Sequence, residues 1–497
     1  MNASSPSAAS GQIEGGDPET RPHAHAARMA GDLTQGPILK TLMLFSIPTL
    51  ISNMLQTLNG TVNSIWVGRL LGESALAATA NANIVMFLMF ATVFGFGMAT
   101  TVRVGQRFGA RQVEEARITM GTGFGFCTII SVIVGVLGWF FAPALLHTLA
   151  TPEKSLPEAL AYLRVVFITM PFGTLSIMVS MSQRGAGDAK TPLYCMILTV
   201  AIDVLMNPLL IRGFGPIPAM GIAGSALSTA IANFAGVAAM IATIYVRDMP
   251  LRLRGAELAY LLPRREELRY IVTKGLPMGA QMLLVSSAGL IMVGLVNREG
   301  MLTAAAYGAS LQLWNYLQMP AFAISSAVSA MVAQNVGAGH HDRVSKITWQ
   351  GMYANLGLTL GLNIIIVAMN RQLLSMFLGA SSAAVPLAVH MQEIVSWSFA
   401  LTGIMMIMTG TMRAYGAVFI PLVVMFLAMY PARLGFYFLT YRYIGSEALW
   451  WAYPFGSAWA VGLTALAYGR GGWRERYRGG SADMGGTEMG GEAMMGH

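Results

Sequence analysis

Asp203 lies in the middle of residues 191–212 (TPLYCMILTVAIDVLMNPLLIR), a helix-length apolar run with no other acidic residue. At about 1.5 Å per residue such a run crosses a bilayer core of about 30 Å, and Asp203 falls about 18 Å from its start. A carboxylate at that depth costs roughly 2.5 to 3.5 kcal/mol, so it must face a protein interior or a water-filled cavity. Thr199, Asp203 and Asn207 follow at i, i+4 and i+8, which gives the helix one polar face. Two chemistries suit this pattern. Burial disfavours the charged form of a carboxyl group, so Asp203 is placed to hold a proton and release it when the site wets or a cation arrives. Alternatively Asp203, Asn207, Asn63 and Thr229 offer the oxygen ligands that a hard cation such as sodium requires. The structural alternative is a carboxylate paired with a buried cation, for which Arg433 is the candidate.

The elements that must position these groups are apolar almost throughout. Of the 497 residues 55% are hydrophobic and only 11% charged, against about 25% charged in a soluble domain. The chain is therefore expected to be an all-α integral membrane protein. Its net charge of +8 does not imply a nucleic-acid partner, because the arginines are scattered singly between apolar runs and build no basic face. Cys127 and Cys195 both lie inside apolar runs, so no disulfide framework is implied. Residues 1–33 are rich in Ser, Gly, Ala, Pro and charge and contain no apolar core for a cleaved signal peptide. The first membrane helix is thus expected to direct insertion.

Twelve apolar runs divide the sequence. A disordered tail is expected over 1–35, a first lobe of six helices over 36–246 and a charged connector over 247–274. A second lobe of six follows over 275–468, then a Gly- and Met-rich disordered tail over 469–497. Arg69, Lys154, Arg164, Arg212, Arg298, Arg371, Arg433 and Arg442 fall on one side of this arrangement, and the other 23 of the 31 Lys and Arg on the opposite side. The excess predicts that both termini and the connector are cytoplasmic, in a multi-pass plasma-membrane protein.

The two halves repeat each other at an offset of about 228 to 229 residues. FSIPTLISNML from Phe45 matches KGLPMGAQMLL from Lys274 and superposes Pro48 on Pro277. VGQRFGAR from Val104 matches VAQNVGAG from Val332, bringing Gln106 onto Gln334 and Gly109 onto Gly337. RGAGDAKTP from Arg184 matches RAYGAVFIP from Arg413. An even number of spans per repeat gives both lobes the same orientation, related by an axis along the membrane normal. A central cavity between two bundles is the expected consequence.

These repeated motifs, with QTLNGTVNSIWVGRLLG after the first proline and VLMNPLLI in the fifth span, make residues 36–468 resemble the multidrug and toxin extrusion (MATE) family. The resemblance implies a secondary antiporter of twelve helices in two lobes, exporting organic and often cationic compounds in exchange for protons or sodium by alternating access. It implies small organic substrates, the lipid bilayer and a monomer, with no nucleic acid, no metal and no cofactor beyond the coupling ion. Relatives typically have an aspartate where this chain has Asn63, and Asn before Asp-Pro where it has Asp203 before Asn207-Pro208. The glutamate and aspartate that one branch carries in the seventh and tenth spans have no counterpart here.

On the first span Asn53, Gln56, Gly60 and Asn63 fall in one arc, and on the sixth Ser225, Thr229 and Asn233 repeat at i+4. With Thr199, these are expected to line a substrate cavity completed by Gln281, Gln312, Trp314 and Arg433 of the second lobe. No enzyme is indicated: GFGFGMATT near Gly95 lacks the strand and acidic partner of a nucleotide fingerprint, and no Walker motif is present. The alternative function, a flippase for a lipid-linked precursor, calls for several cations within the spans, where only Arg433 stands deep.

Overall fold

The computed structural model describes residues 32–148, 156–216 and 218–474. Backbone groups in hydrocarbon must be satisfied within the chain, and each apolar run is accordingly helical. The first lobe holds α1 (Ile38–Leu71), α2 (Glu73–Gly109), α3 (Val113–Thr148), α4 (Leu156–Gly185), α5 (Lys190–Arg212) and α6 (Ile222–Val246). The second begins with α7 (Arg265–Arg298), α8 (Met301–Gly337) and α9 (His341–Ala368). After a short helix, Asn370–Leu378, comes α10, built from Ala384–Val395 and Ser398–Ala414 with a 42° bend between them. Span α11 (Phe419–Ile444) contains a π-helical segment, Ala428–Leu434, around Pro431. The last helix is α12 (Glu447–Gly469).

Among the described residues ten helices are long and apolar enough to cross a membrane, and the bent α10 makes an eleventh. The twelfth, α12, is diluted in apolarity by its Trp, Tyr, Gly and Pro residues. Twelve helices in two lobes thus form the fold.

Several boundaries move from where the sequence put them. Helix α7 starts at Arg265, inside the segment expected as connector, because its first turns are amphipathic and overhang the apolar run. The tail expected to be disordered through residue 35 is packed from Leu33, which is only 4% exposed. Trp473, also assigned to a disordered tail, is buried against Tyr415 and Tyr468. The expected tails over 1–31 and 475–497, and Lys154, lie outside the described residues.

The repeat is visible in how the lobes meet. Helix α1 packs on α8 and α7 packs on α2, while α2 and α8 cross each other, the pattern that a twofold exchange of lobes produces. The crossing is close because two equivalent glycines allow it. A Cβ on Gly109 would collide with the carbonyl of Gln334, and one on Gly337 with the carbonyl of Gln106.

The core is distributed unevenly along the membrane normal. At the face carrying the connector and both ends of the described chain, one cluster spans both lobes, from Leu42 and Val102 to Met331, Ile347 and Met412. At the opposite face each lobe has its own core, around Val67, Leu146 and Leu163 in the first and around Trp314, Leu374 and Trp450 in the second. The lobes are joined at the connector face and separate beyond it.

Candidate functional site

The polar face of α5 is turned into its own lobe. Thr199, Asp203 and Asn207 are 7%, 0% and 0% exposed, and α6 comes close enough to cover them because its first turn carries Gly224, which rests on the Leu210 carbonyl. Helix α1 closes the third side.

Asp203 is surrounded by donors from α1 and α6. Its Oδ2 accepts from Asn59 Nδ2 at 2.8 Å, from Asn63 Nδ2 at 2.9 Å and from Thr229 Oγ1 at 3.1 Å. Ser228 Oγ lies 2.7 Å from Oδ1 and 3.1 Å from the Asp203 carbonyl. Asn207 joins indirectly, donating to Asn63 Oδ1 at 2.7 Å. The amide of Asn63 is the hinge of the cluster, since it donates to the carboxylate with one end and accepts from Asn207 with the other.

All four groups that donate to Asp203 are neutral. Donors of this kind satisfy the carboxyl oxygens without placing an opposite charge beside them. Among the described residues no Lys, Arg or His pairs with Asp203, and two amide oxygens of the same cluster, Asn59 Oδ1 and Asn207 Oδ1, are buried without a hydrogen-bond partner.

The structure therefore brings Asp203, Asn63, Asn207 and Thr229 into one network. It adds Asn59 and Ser228, which sequence reasoning passed over. Asn59 stands one turn before Asn63 on the same face of α1, so the i, i+4 spacing that singled out the α5 residues points to it as well. Ser228 is the sequence neighbour of Thr229, and only the wide contact of α6 with α5 turns both hydroxyls inward.

The remaining predicted residues are spread out. Thr199 is spent on its own helix, donating to the Cys195 carbonyl at 2.9 Å. Ser225 is buried and its carbonyl accepts from Thr229. Asn53 and Asn233 are half-buried and Gln56 and Gln312 exposed.

Three expectations for the second lobe are corrected. Gln281 is buried and donates to the Val418 carbonyl at 3.3 Å, so it ties α7 to the start of α11 instead of lining a cavity. Trp314 is 1% exposed and gives its Nε1–H to Gln392 Oε1 at 2.7 Å. A ring that size gains more from burial against Tyr307, Phe399 and Tyr453 than from facing water. Arg433 is not a partner of Asp203: it stays in the second lobe with its guanidinium 4.3 Å over the ring of Tyr453.

Comparison with known proteins agrees with this architecture. The MatE family model matches residues 48–209 and again 277–439, an offset that reproduces the internal repeat. The probable multidrug resistance protein YoeA of Bacillus subtilis is 33% identical over 434 residues, covering 87% of this chain and 93% of that one. The multidrug export protein MepA of Staphylococcus saprophyticus is 24% identical over 76% of this chain and 82% of its own. Among solved structures, the outward-facing conformation of a multidrug resistance MATE family transporter of the MOP superfamily superposes with a TM-score of 0.81. It is 20% identical and covers 90% of this chain and 97% of that one.

Proposed function

The chain belongs to the MatE family of transporters, and from that premise we propose that it exports small organic cations in exchange for an ion taken up at Asp203. One observation carries the proposal: a carboxyl group that is fully buried and held only by neutral donors, with no cationic side chain paired to it among the described residues. Whatever neutralises it lowers a desolvation cost of several kcal/mol. A proton and an organic cation both do so, and their competition for one group couples opposed movements.

Multidrug export is what the names of YoeA and MepA state of those proteins, and it supports the substrate class proposed here. In this reading the two lobes rock against each other. The shared core at the connector face closes one side while the other stands open, and transport requires the crossing to part. The excess of Lys and Arg supports a cytoplasmic connector face, and in this reading the chain acts as a monomer in a bacterial inner membrane.

Sodium is the second ion reading, and the two buried amide oxygens of Asn59 and Asn207 favour it. Beside the carboxylate they are ligands of the hard kind that sodium takes. Purified protein in liposomes separates the readings. Ethidium uptake should follow an imposed pH gradient for the proton and a sodium gradient at constant pH for sodium. Uptake indifferent to both gradients would sink ion-coupled exchange.

A further inference from the structure

The second lobe carries a buried charge of the opposite sign at the matching place. Asp203 superposes on residue 432 of the repeat, and its neighbour in register, Arg433, lies in the π-helical segment of α11. Single π-turns inside α-helices occur frequently at functional sites, because they turn one side chain out of register. Arg433 is only 9% exposed, and its Nε is buried without a partner. Among the described residues no carboxylate pairs with it and it donates no hydrogen bond. The acidic residues toward that end of the lobe are engaged elsewhere, Glu447 by His390 and Glu299 by Tyr441, or exposed, as Glu393 is.

What surrounds the guanidinium is aromatic and already satisfied. Tyr453 lies beneath it and shares a 2.6 Å hydrogen bond with Tyr307. Room for the arginine stem comes from Gly456 of α12, whose absent Cβ would stand 3.0 Å from Arg433 Cβ and 3.3 Å from Nε. A cation–π contact with one ring offsets only part of the cost of burying a guanidinium. The planar fork of donors that remains matches a carboxylate in two-point geometry.

We propose that Arg433 recognises a carboxylate where the transported cation carries one, so that this chain favours such compounds over cations without it. The assignment rests on the reading of the chain as an exporter of organic cations and adds a preference to it, so that a cation such as ethidium remains a substrate.

The test uses full-length protein in liposomes and two dyes, rhodamine B, a xanthylium cation with a free carboxylate, and its ethyl ester. The readout is the ratio of acid to ester transport, which cancels differences in the amount of folded protein. Arg433→Gln should lower that ratio about tenfold, the worth of a hydrogen bond to a charged group, and Arg433→Lys should lower it less. An unchanged ratio in Arg433→Gln overturns the assignment and leaves the exporter standing. Failure of the wild type to move either dye removes the exporter reading and the assignment with it. On unmodified protein, benzoate should slow the acid dye more than the ester, and benzamide should not discriminate. Equal slowing of both dyes by benzoate also overturns the assignment.

Discussion

Gln106 and Gln334, equivalent residues of the two repeats, each reach into the opposite lobe and donate to a carbonyl at the end of its fourth helix. Gln106 Nε2 lies 2.7 Å from the Ala414 carbonyl, and Gln334 Nε2 lies 3.0 Å from the Gly185 carbonyl. Ala414 and Gly185 are themselves equivalent in the repeat. The pair is a reciprocal clasp across the twofold axis, one turn from the Gly109 and Gly337 crossing. Its symmetry is broken at one atom: Gln334 Oε1 accepts the Leu33 N–H at 3.1 Å, whereas Gln106 Oε1 is buried without a partner among the described residues.

That asymmetry predicts unequal effects of equal substitutions. A net hydrogen bond is worth about 0.5 to 1.5 kcal/mol, so Gln106→Leu should shift the equilibrium toward opening at the connector face by roughly twofold to tenfold. Gln334→Leu should shift it further, because it also frees Leu33. Thiol labelling from the connector side, at a cysteine replacing Ser329 in the shared seam after Cys127 and Cys195 are changed to Ala, measures both. Equal labelling rates in the two variants would contradict the account.

The glycine crossing makes a prediction about stability. Gly109→Ala and Gly337→Ala each place a methyl group into a carbonyl of the facing helix, which should cost about 1 to 3 kcal/mol as overpacking does. Gly357→Ala, in α9 with nothing near its Cβ, should be neutral or stabilising by up to about 1 kcal/mol, since alanine is the better helix former. Thermal unfolding of the three variants in detergent checks this, and comparable melting temperatures for all three would refute it.

The donors around Asp203 should not be equivalent to the other polar residues of α5. Asn59→Ala and Ser228→Ala each remove a hydrogen bond to a charged group, worth about 1.5 to 3 kcal/mol, and both should lower the unfolding temperature and gradient-driven uptake. Thr199→Val should change either by little, because its hydroxyl serves only the Cys195 carbonyl of its own helix. Side-by-side melting curves and uptake rates decide the matter, and a Thr199 variant as impaired as the other two would count against the cluster.

Much of the fold was legible because the membrane imposes helix length and the repeat imposes the pairing of halves. The proline and glutamine registers, Pro48 with Pro277 and Gln106 with Gln334, were enough to place the two lobes. The site was legible in part. The spacing of Thr199, Asp203 and Asn207 marked the polar face of α5, and the arc through Asn63 marked that of α1, but periodicity gives a face without saying what that face meets. So Asn59 and Ser228 were missed, Trp314 was assigned to a cavity when its bulk makes it core, and Arg433 was paired across a gap it does not bridge. The packed segment at Leu33 escaped notice because a single leucine among polar residues carries no periodic signal.

The central claim is that the charge on Asp203 couples the two fluxes, and Asp203→Asn tests it most directly, since the amide keeps the size of the side chain and removes its charge. Ethidium uptake into liposomes, measured under a pH gradient, a sodium gradient and no gradient, should be driven by at least one gradient in the wild type. In Asp203→Asn the gradient-dependent part should fall at least about tenfold, as the loss of about 1.4 kcal/mol or more of coupling requires. A variant that concentrates ethidium as well as the wild type under both gradients would contradict the account.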